Sequence, residues 1–290
     1  MLGSLVIVYP TSHQGGELVL RHKGREWKFD ANALTSSQSS PSLAYVAFYS
    51  DIEHEVLKVT DGSRVPLTYN LYLVPHDPTS QIPGSPNLPL VPVKPNLKDI
   101  TNFQATLRQF LQSPEFMPEG GTLALNLAHL YPVTFDTELE EMIECLKGED
   151  AHVYQSCREL KLEPVLEMIY NERSDWGGYD TLAKFGVMME VIVENPIYSY
   201  EHSSYERTLV EREGGIPVNL QNDVLATNSE YWNGDNPKEE YEQLTWLTDF
   251  SKSANELRDA GLQYGNECTL GYIYCSPCLI VRIDPASDRI

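Results

Sequence analysis

Between residues 2 and 73 the apolar positions come in short runs, many alternating with polar ones, and Gly, Ser and Pro separate the runs. Leu5-Val-Ile-Val-Tyr9 has the length and composition of a strand. Thr11-Ser-His-Gln-Gly-Gly16 follows as a turn, its paired glycines supplying backbone angles that other residues resist. Glu17–His22 reads as a second strand and Lys23-Gly24 as a tight reversal. Glu26-Trp-Lys-Phe29 alternates as a half-buried strand does. Ala31 to Pro41 reads as a Ser/Thr-rich loop, Leu43–Tyr49 as an apolar strand, and Arg64–Leu73 as the last strand of the series. His54 falls in a polar connection between those two. Short strands at roughly ten-residue spacing predict an antiparallel barrel or jelly roll rather than βαβ units.

The pattern then changes. Residues 75–98 are dense in proline, with Ser, Asn and Gly, and read as an extended linker without a core of its own. From Ile100 to Gln112, Phe103, Leu107, Phe110 and Leu111 recur on one helical face. Gly120–Asn126 is strand-like. Thr137–Leu146 and Ala151–Leu160 read as helices, with Lys147-Gly148 as a stop between them and Asp150 as the N-cap of the second. Phe185–Val193 reads as a strand, 199–240 as charged loop, Tyr241–Leu262 as mostly helix, and Tyr272–Ile283 as the closing strand. The predicted layout is a mainly β region over 1–74, a linker over 75–98, and an α+β region over 99–290.

Composition narrows the partners. The 290 residues are 41% hydrophobic, enough for real cores, and carry 21 Lys+Arg against 42 Asp+Glu, a formal net of −21. Such a surface repels nucleic-acid phosphates and anionic membranes, while leaving room for a buried arginine to act locally on an anion. No apolar run reaches the roughly 18 residues that span a bilayer, and Met1–Tyr9 lacks the basic start of a secretory leader. The five cysteines, Cys145, Cys157, Cys268, Cys275 and Cys278, form no disulfide framework. A reducing intracellular compartment, cytoplasm or nucleus, is the expectation.

Candidate chemistry concentrates in Asp51-Ile-Glu-His54-Glu-Val56 and in the strand that Arg64 opens. Neutral imidazole suits Fe(II). Along Arg64–Leu73, alternation puts Val65, Leu67, Tyr69, Leu71 and Leu73 on one face and Arg64, Pro66, Thr68, Asn70 and Tyr72 on the other. A face carrying Arg, Thr and Asn suits the lining of a polar pocket. Arginine grips a carboxylate bidentately, and Thr68 adds a hydroxyl donor.

Three strings, Gly15-Gly-Glu-Leu-Val-Leu-Arg-His-Lys-Gly24, Ala47-Phe-Tyr-Ser-Asp-Ile-Glu-His-Glu-Val56 and Arg64-Val-Pro-Leu-Thr-Tyr-Asn-Leu71, closely resemble the Fe(II)/2-oxoglutarate-dependent dioxygenases. They are most similar to the prolyl 4-hydroxylase-type catalytic domains of fungal proteins. The resemblance covers about residues 2–73. Pro118-Glu-Gly-Gly-Thr122, Leu146-Lys-Gly-Glu-Asp150 and Tyr264-Gly-Asn-Glu267 resemble the C-terminal extension of the same proteins.

The resemblance implies a partial double-stranded β-helix (jelly roll) over 1–74, with His54 as the distal iron ligand and Arg64 as the anchor for the far carboxylate of 2-oxoglutarate. It implies a hydroxylase of protein or peptide side chains. The family's His-x-Asp pair normally precedes the strand that begins here at Leu2-Gly-Ser-Leu5, and no such pair stands there in this chain. Neither His13 nor His22 takes that role. Fe(II) and 2-oxoglutarate are therefore expected only with an upstream His-x-Asp. The favoured expectation is that Met1 is an internal methionine of a longer protein. The alternative is a non-catalytic binding or regulatory relative that kept the fold. With His54 alone, poor Fe(II) affinity and negligible turnover are expected.

The remaining features invite plainer readings. Cys275-Ser-Pro-Cys278 is expected as apolar filler within two short strands joined by a bend, against a structural zinc site as a third class of function. Glu138, Glu140, Glu141 and Glu144 are expected on a solvated helix face. His129 near Tyr131 is expected as a satisfied histidine, and Trp176-Gly-Gly-Tyr179 as a turn.

Overall fold

The computed structural model describes residues 1–36, 42–72, 97–171, 185–192, 205–223, 242–250, 255–262 and 268–289, and the chain divides into two units, Met1–Val91 and Pro92–Ile290. The structure is mostly β. In the first unit the elements are β1 (Gly3–Val8), β2 (His13–Gly15), β3 (Leu18–His22), β4 (Arg25–Phe29), α1 (Ala31–Ser36), β5 (Ala44–Tyr49), β6 (Glu53–Val56), β7 (Val59–Gly62) and β8 (Pro66–Leu71).

The pairings nest. β1 lies antiparallel to β8, β2 to β7 and β3 to β6. Gly3 faces Leu71, Gly15 faces Val59 and Arg21 faces Glu53, so one register runs through all three pairs apart from a slip at His13–Gln14. The unit is one long hairpin cut into three ladders. β5 adds to the far side of β1 and β4 to the far side of β3. The β3–β4 reversal uses Lys23 and Gly24, both with positive φ (46° and 75°), the angles a two-residue hairpin turn matched to strand twist requires.

Paired residues share a sheet face. Val6, Val46 and Thr68 therefore share one, as do Val8, Ala44 and Pro66. On the second sheet Leu18, Phe29 and Val56 share a face, with Leu20, Trp27 and His54 beside them. A small core joins the two faces: Val6, Val8, Ala31 and Ala44, packed by Phe29, Val46 and Phe48.

The second unit comprises α2 (Leu97–Gln112), β9 (Gly121–Asn126), α3 (Leu139–Ile143), α4 (Gly148–Glu159), β10 (Val165–Tyr170), β11 (Phe185–Met189), α5 (Tyr205–Glu213), β12 (Ile216–Asn219), β13 (Leu244–Trp246), β14 (Asn255–Leu262) and β15 (Cys268–Ile283). The sheet order is β12-β11-β10-β15-β9-β13, with β14 beside the first half of β15. β13 runs parallel to β9, and every other pairing is antiparallel. One sheet face, with Leu123, Leu125, Met168, Leu279 and Val281, meets the helices through Leu107, Met142, Cys157 and Leu209. The other gathers Ala124, Ile169, Val218, Leu244, Trp246, Phe250 and Ile280.

That second face curls inward, and the sheet nearly closes. A bridge links Val218 to Glu242, and two asparagine side chains complete the seam. Asn219 Nδ2 donates to Leu244 O at 2.9 Å while Leu244 N–H donates to Asn219 Oδ1 at 2.7 Å. Asn222 does the same with Trp246 O and N–H, at 2.9 and 2.7 Å. A carboxamide carries the donor and acceptor of a peptide group, so each replaces a strand residue where no strand continues.

Several expectations need correction. His54 lies on β6, not in a connection, because Arg21–Leu18 supplies a ladder partner for Glu53–Val56. Arg64 precedes β8 rather than opening it. Ala31–Ser36 is helical, nucleated by Asp30 Oδ1 accepting from Ala33 N–H at 3.0 Å. Lys147-Gly148 starts α4 instead of stopping a helix, and Asp150 sits inside its first turn with Lys147 as the N-cap. Residues 244–246 and 255–262 are strands where a helix was expected, since Leu244 and Trp246 alternate into the barrel-side core. The span 199–240, expected as loop, carries α5 and β12. β15 is one strand without a bend. Pro277, which has no N–H to give, falls where β14 ends opposite Cys275 and β9 begins opposite Cys278. Most of the proline-rich stretch and Trp176–Tyr179 lie outside the described residues.

The seam yields a stability prediction. Asn219→Leu leaves the buried N–H and C=O of Leu244 without the Asn219 side chain and is expected to lower the unfolding free energy by roughly 2–6 kcal/mol, at about 1–3 kcal/mol per stranded group. Urea unfolding of the variant beside the wild type measures it.

Candidate functional site

In the first unit, His54 and Thr68 project from the two faces that the small core joins. His54 stands opposite Leu20 and its ring lies 5.0 Å, centroid to centroid, from Phe48. Its Nδ1 is 3.0 Å from Ile52 O. A carbonyl only accepts, so Nδ1 is the donor in this contact. Thr68 is opposite Val6 and exposed.

Arg64 occupies the gap between the β2–β7 and β1–β8 ladders. Ser63 N–H donates to Ser12 O at 3.2 Å on one side of it, and Tyr9 N–H donates to Val65 O at 3.0 Å on the other. Its stem passes over Gly16, where an added Cβ would come within 2.9 Å of Arg64 Cδ and of Val59 Cγ2. Gly16 also has a φ of 77°, so both the space and the backbone call for glycine.

Arg64 Nε is buried and has no hydrogen-bond partner among the described residues. Burial draws its pKa below the ordinary arginine value. Arg21 shows the contrast: it sits between Glu26 and Glu55 at 3.0 and 2.7 Å, and its pKa is raised by those hydrogen bonds. In an acidic chain, Arg64 is a half-buried cation with no acid beside it among the described residues.

The donor set for a metal is thin. Among the described residues, no group of three or more His, Cys, Asp or Glu is placed to hold a metal ion. A facial iron site needs three protein donors, and His54 supplies one, so the described residues do not fit iron.

The second unit builds its polar groups differently. Asp150 accepts from Ala128 N–H (2.6 Å), His129 N–H (3.0 Å) and Tyr131 hydroxyl (2.8 Å). Tyr131 hydroxyl in turn accepts from Lys147 N–H at 2.8 Å, and Lys147 Nζ donates to Leu130 O at 2.7 Å. The carboxylate of α4 thus fastens the loop after β9, and His129 is buried within it. This is a structural clasp rather than a pocket.

On the barrel side Glu167, almost wholly buried, accepts from Arg282 Nη2 at 2.8 Å, while Thr122 hydroxyl donates to Glu242. Burial raises the Glu167 pKa. Arg282 opposes that rise, and Glu242 and Glu190 add to it.

Cys275 and Cys278 do not meet. Three residues apart on a strand, they point to opposite faces, Cys275 into the helix-side core and Cys278 into the barrel side. Burial pushes Cys275 up to about 12, Cys157 up to about 11 and Cys278 higher still. Their geometry rules out a shared zinc ion or a disulfide between them.

Sequence reasoning picked out His54, Arg64 and Thr68 but passed over Gly16. The paired glycines were the available signal.

Two outcomes are expected. Glu167 has a raised pKa in the fold, so the native state holds its proton more tightly than the unfolded chain. Its contribution is fullest at low pH and is lost as pH rises from the unfolded value of about 4.3 through the folded one. Glu167→Gln should remove that loss, so the variant's stability relative to wild type should climb across that window in urea unfolding at stepped pH. In peptide mapping after iodoacetamide, exposed Cys145 should label in the native protein, whereas Cys157, Cys275 and Cys278 should label only after denaturation. Comparison of the chain with protein-family models, curated proteins and solved structures finds no match.

Proposed function

We propose that the first unit is a jelly roll of the double-stranded β-helix type and that it binds a dicarboxylate, 2-oxoglutarate, through Arg64. The nested pairing of β1–β8, β2–β7 and β3–β6 supports the architecture, because a jelly roll is a long hairpin wound into facing sheets. The half-buried Arg64 without an acid partner among the described residues carries the ligand reading. Its guanidinium presents a planar fork suited to a carboxylate, and Thr68, exposed on β8 four residues further on, offers a hydroxyl.

The activity this points to, on the resemblance of residues 2–73, is that of an Fe(II)- and 2-oxoglutarate-dependent dioxygenase hydroxylating protein or peptide side chains, with proline as the default substrate. The described residues contribute carboxylate binding and one imidazole. They do not complete an iron site, and no step through iron is derived. The single donor favours a second reading, a binding or regulatory relative that uses Arg64 without turnover.

Calorimetric titration with 2-oxoglutarate, paired with a succinate-release assay in Fe(II), separates these. Arg64→Gln is expected to weaken binding roughly a hundred-fold, since removing one partner of a buried charge pair costs about 2–5 kcal/mol. Binding with succinate release supports the oxygenase. Binding without release supports the non-catalytic relative. A wild-type chain that does not bind 2-oxoglutarate overturns both.

A further inference from the structure

The sheet β5-β1-β8 turns one face to the small core through Val6, Val8 and Val46. Alternation sends the residues between these to the opposite face. There Leu5 stands between Ala47 and Tyr69, Ile7 between Tyr45 and Leu67, and Gly3 between Tyr49 and Leu71. Tyr9, Leu43 and Val65 lie one residue past the strand ends and continue the rows, with Tyr9 N–H donating to Val65 O at 3.0 Å. Tyr45 is 72% exposed, Leu43 54%, Tyr69 50%, Val65 43%, Tyr9 42% and Leu67 41%. None of these positions carries a charge, in a chain whose formal net is −21.

A contiguous apolar face of this extent marks a contact surface. Its three most exposed tyrosines offer roughly 250–400 Å² together, at about 150–250 Å² for each whole ring and stem. Leu43, Val65 and Leu67 add to that. The face thus supplies most of the roughly 800 Å² that one partner gives to a stable interface.

Charge and relief point to the occupant. Two copies of so acidic a chain repel each other wherever their charged surfaces meet, and here they meet without charge. The relief of the face also fits itself. A two-fold axis lying across the strands, midway between the Leu5 and Ile7 rows, sets each strand antiparallel over its own counterpart. Tyr45 then meets the second copy's Ala47, Tyr9 meets its Gly3, Tyr69 its Leu67 and Tyr49 its Leu43. Every tyrosine falls on a smaller residue, and Leu5 falls on Ile7. Each contact occurs twice, and the assembly closes at two copies.

We propose that this face is a homodimer interface, in which the β5-β1-β8 sheets of two copies pack face to face. Stacked sheets lie about 10 Å apart, with strands within about 30° of alignment. The side chains above fill that layer. The inference goes beyond the reading of Arg64 and does not depend on it.

The test is sedimentation velocity of the full chain at physiological salt, up to about 100 μM. The wild type is expected to pass from 32.8 kDa to twice that mass as concentration rises. Tyr69→Lys and Leu67→Glu each place a charge on the interface twice, and each alone is expected to weaken association at least about thirty-fold. Mixed together they should form a heterodimer, because the axis sets the introduced lysine over the introduced glutamate. Circular dichroism checks that each variant folds, and the pair Tyr45→Lys and Ala47→Glu replaces any that does not. A wild type that dimerises while Tyr69→Lys dimerises equally well uses another surface, and the proposal is overturned. Weakened single variants whose mixture stays monomeric overturn the axis and leave the face as the interface. A wild type that stays at 32.8 kDa overturns the proposal outright. Co-flotation of that monomer with phosphatidylcholine vesicles would then assign the face to a lipid surface, and its absence to a different chain.

Discussion

The main-chain ladder between Gly3–Arg21 and Glu53–Leu71 is the constraint on which the first unit depends. A strand's side chains alternate with a period of two, so a slip of one residue would turn Val6, Val8 and Thr68 outward together. Among the described residues of this unit the buried apolar side chains are Val6, Val8, Leu18, Val19, Leu20, Ala31 and Ala44, and a register slip would move the strand residues among them off the core face. The one slip within the described ladders lies between Gln14 and Gly15, inside the short β2–β7 ladder.

The second unit answers a different problem. Its sheet is apolar on both faces, and each face needs cover. Four helices supply residues to one face, and the sheet covers the other by curling on itself. Curling leaves a seam, and Asn219 and Asn222 close it with side-chain amides where a strand would otherwise run on. The buried charges follow from this plan. Asp150 anchors a loop by accepting from two of its backbone N–H groups, and Glu167 faces the barrel interior with one arginine to offset its burial.

Much of the first unit was legible in the sequence because its strands alternate and its turns carry Gly, Pro and Ser. The strand at Glu53–Val56 was not, since all four of its residues are exposed and its pattern carries no apolar face; only the long-range partner reveals it. Tyr241–Leu262 misled for the opposite reason. Leu244, Leu247 and Phe250 repeat at helical spacing, yet Leu247 is exposed and the buried pair is Leu244 and Trp246. Val165–Tyr170 went unseen as a strand because both its faces are buried, so no alternation marks it. His54, Arg64 and Thr68 could be singled out by residue type. The orphaned state of Arg64 Nε among the described residues could not, because a lack of partners belongs to three-dimensional surroundings and not to a string.

Nested pairing also orders events in time. β3 and β6 close the shortest loop, β1 and β8 the longest, and contacts of large sequence separation form against the greater chain entropy. The hairpin therefore zips from Arg21–Glu53 outward to Gly3–Leu71. The gap beside Arg64 comes into being only when the second and third ladders have both formed. A partly folded first unit carries the β3–β6 ladder and His54 before Arg64 is set between its ladders.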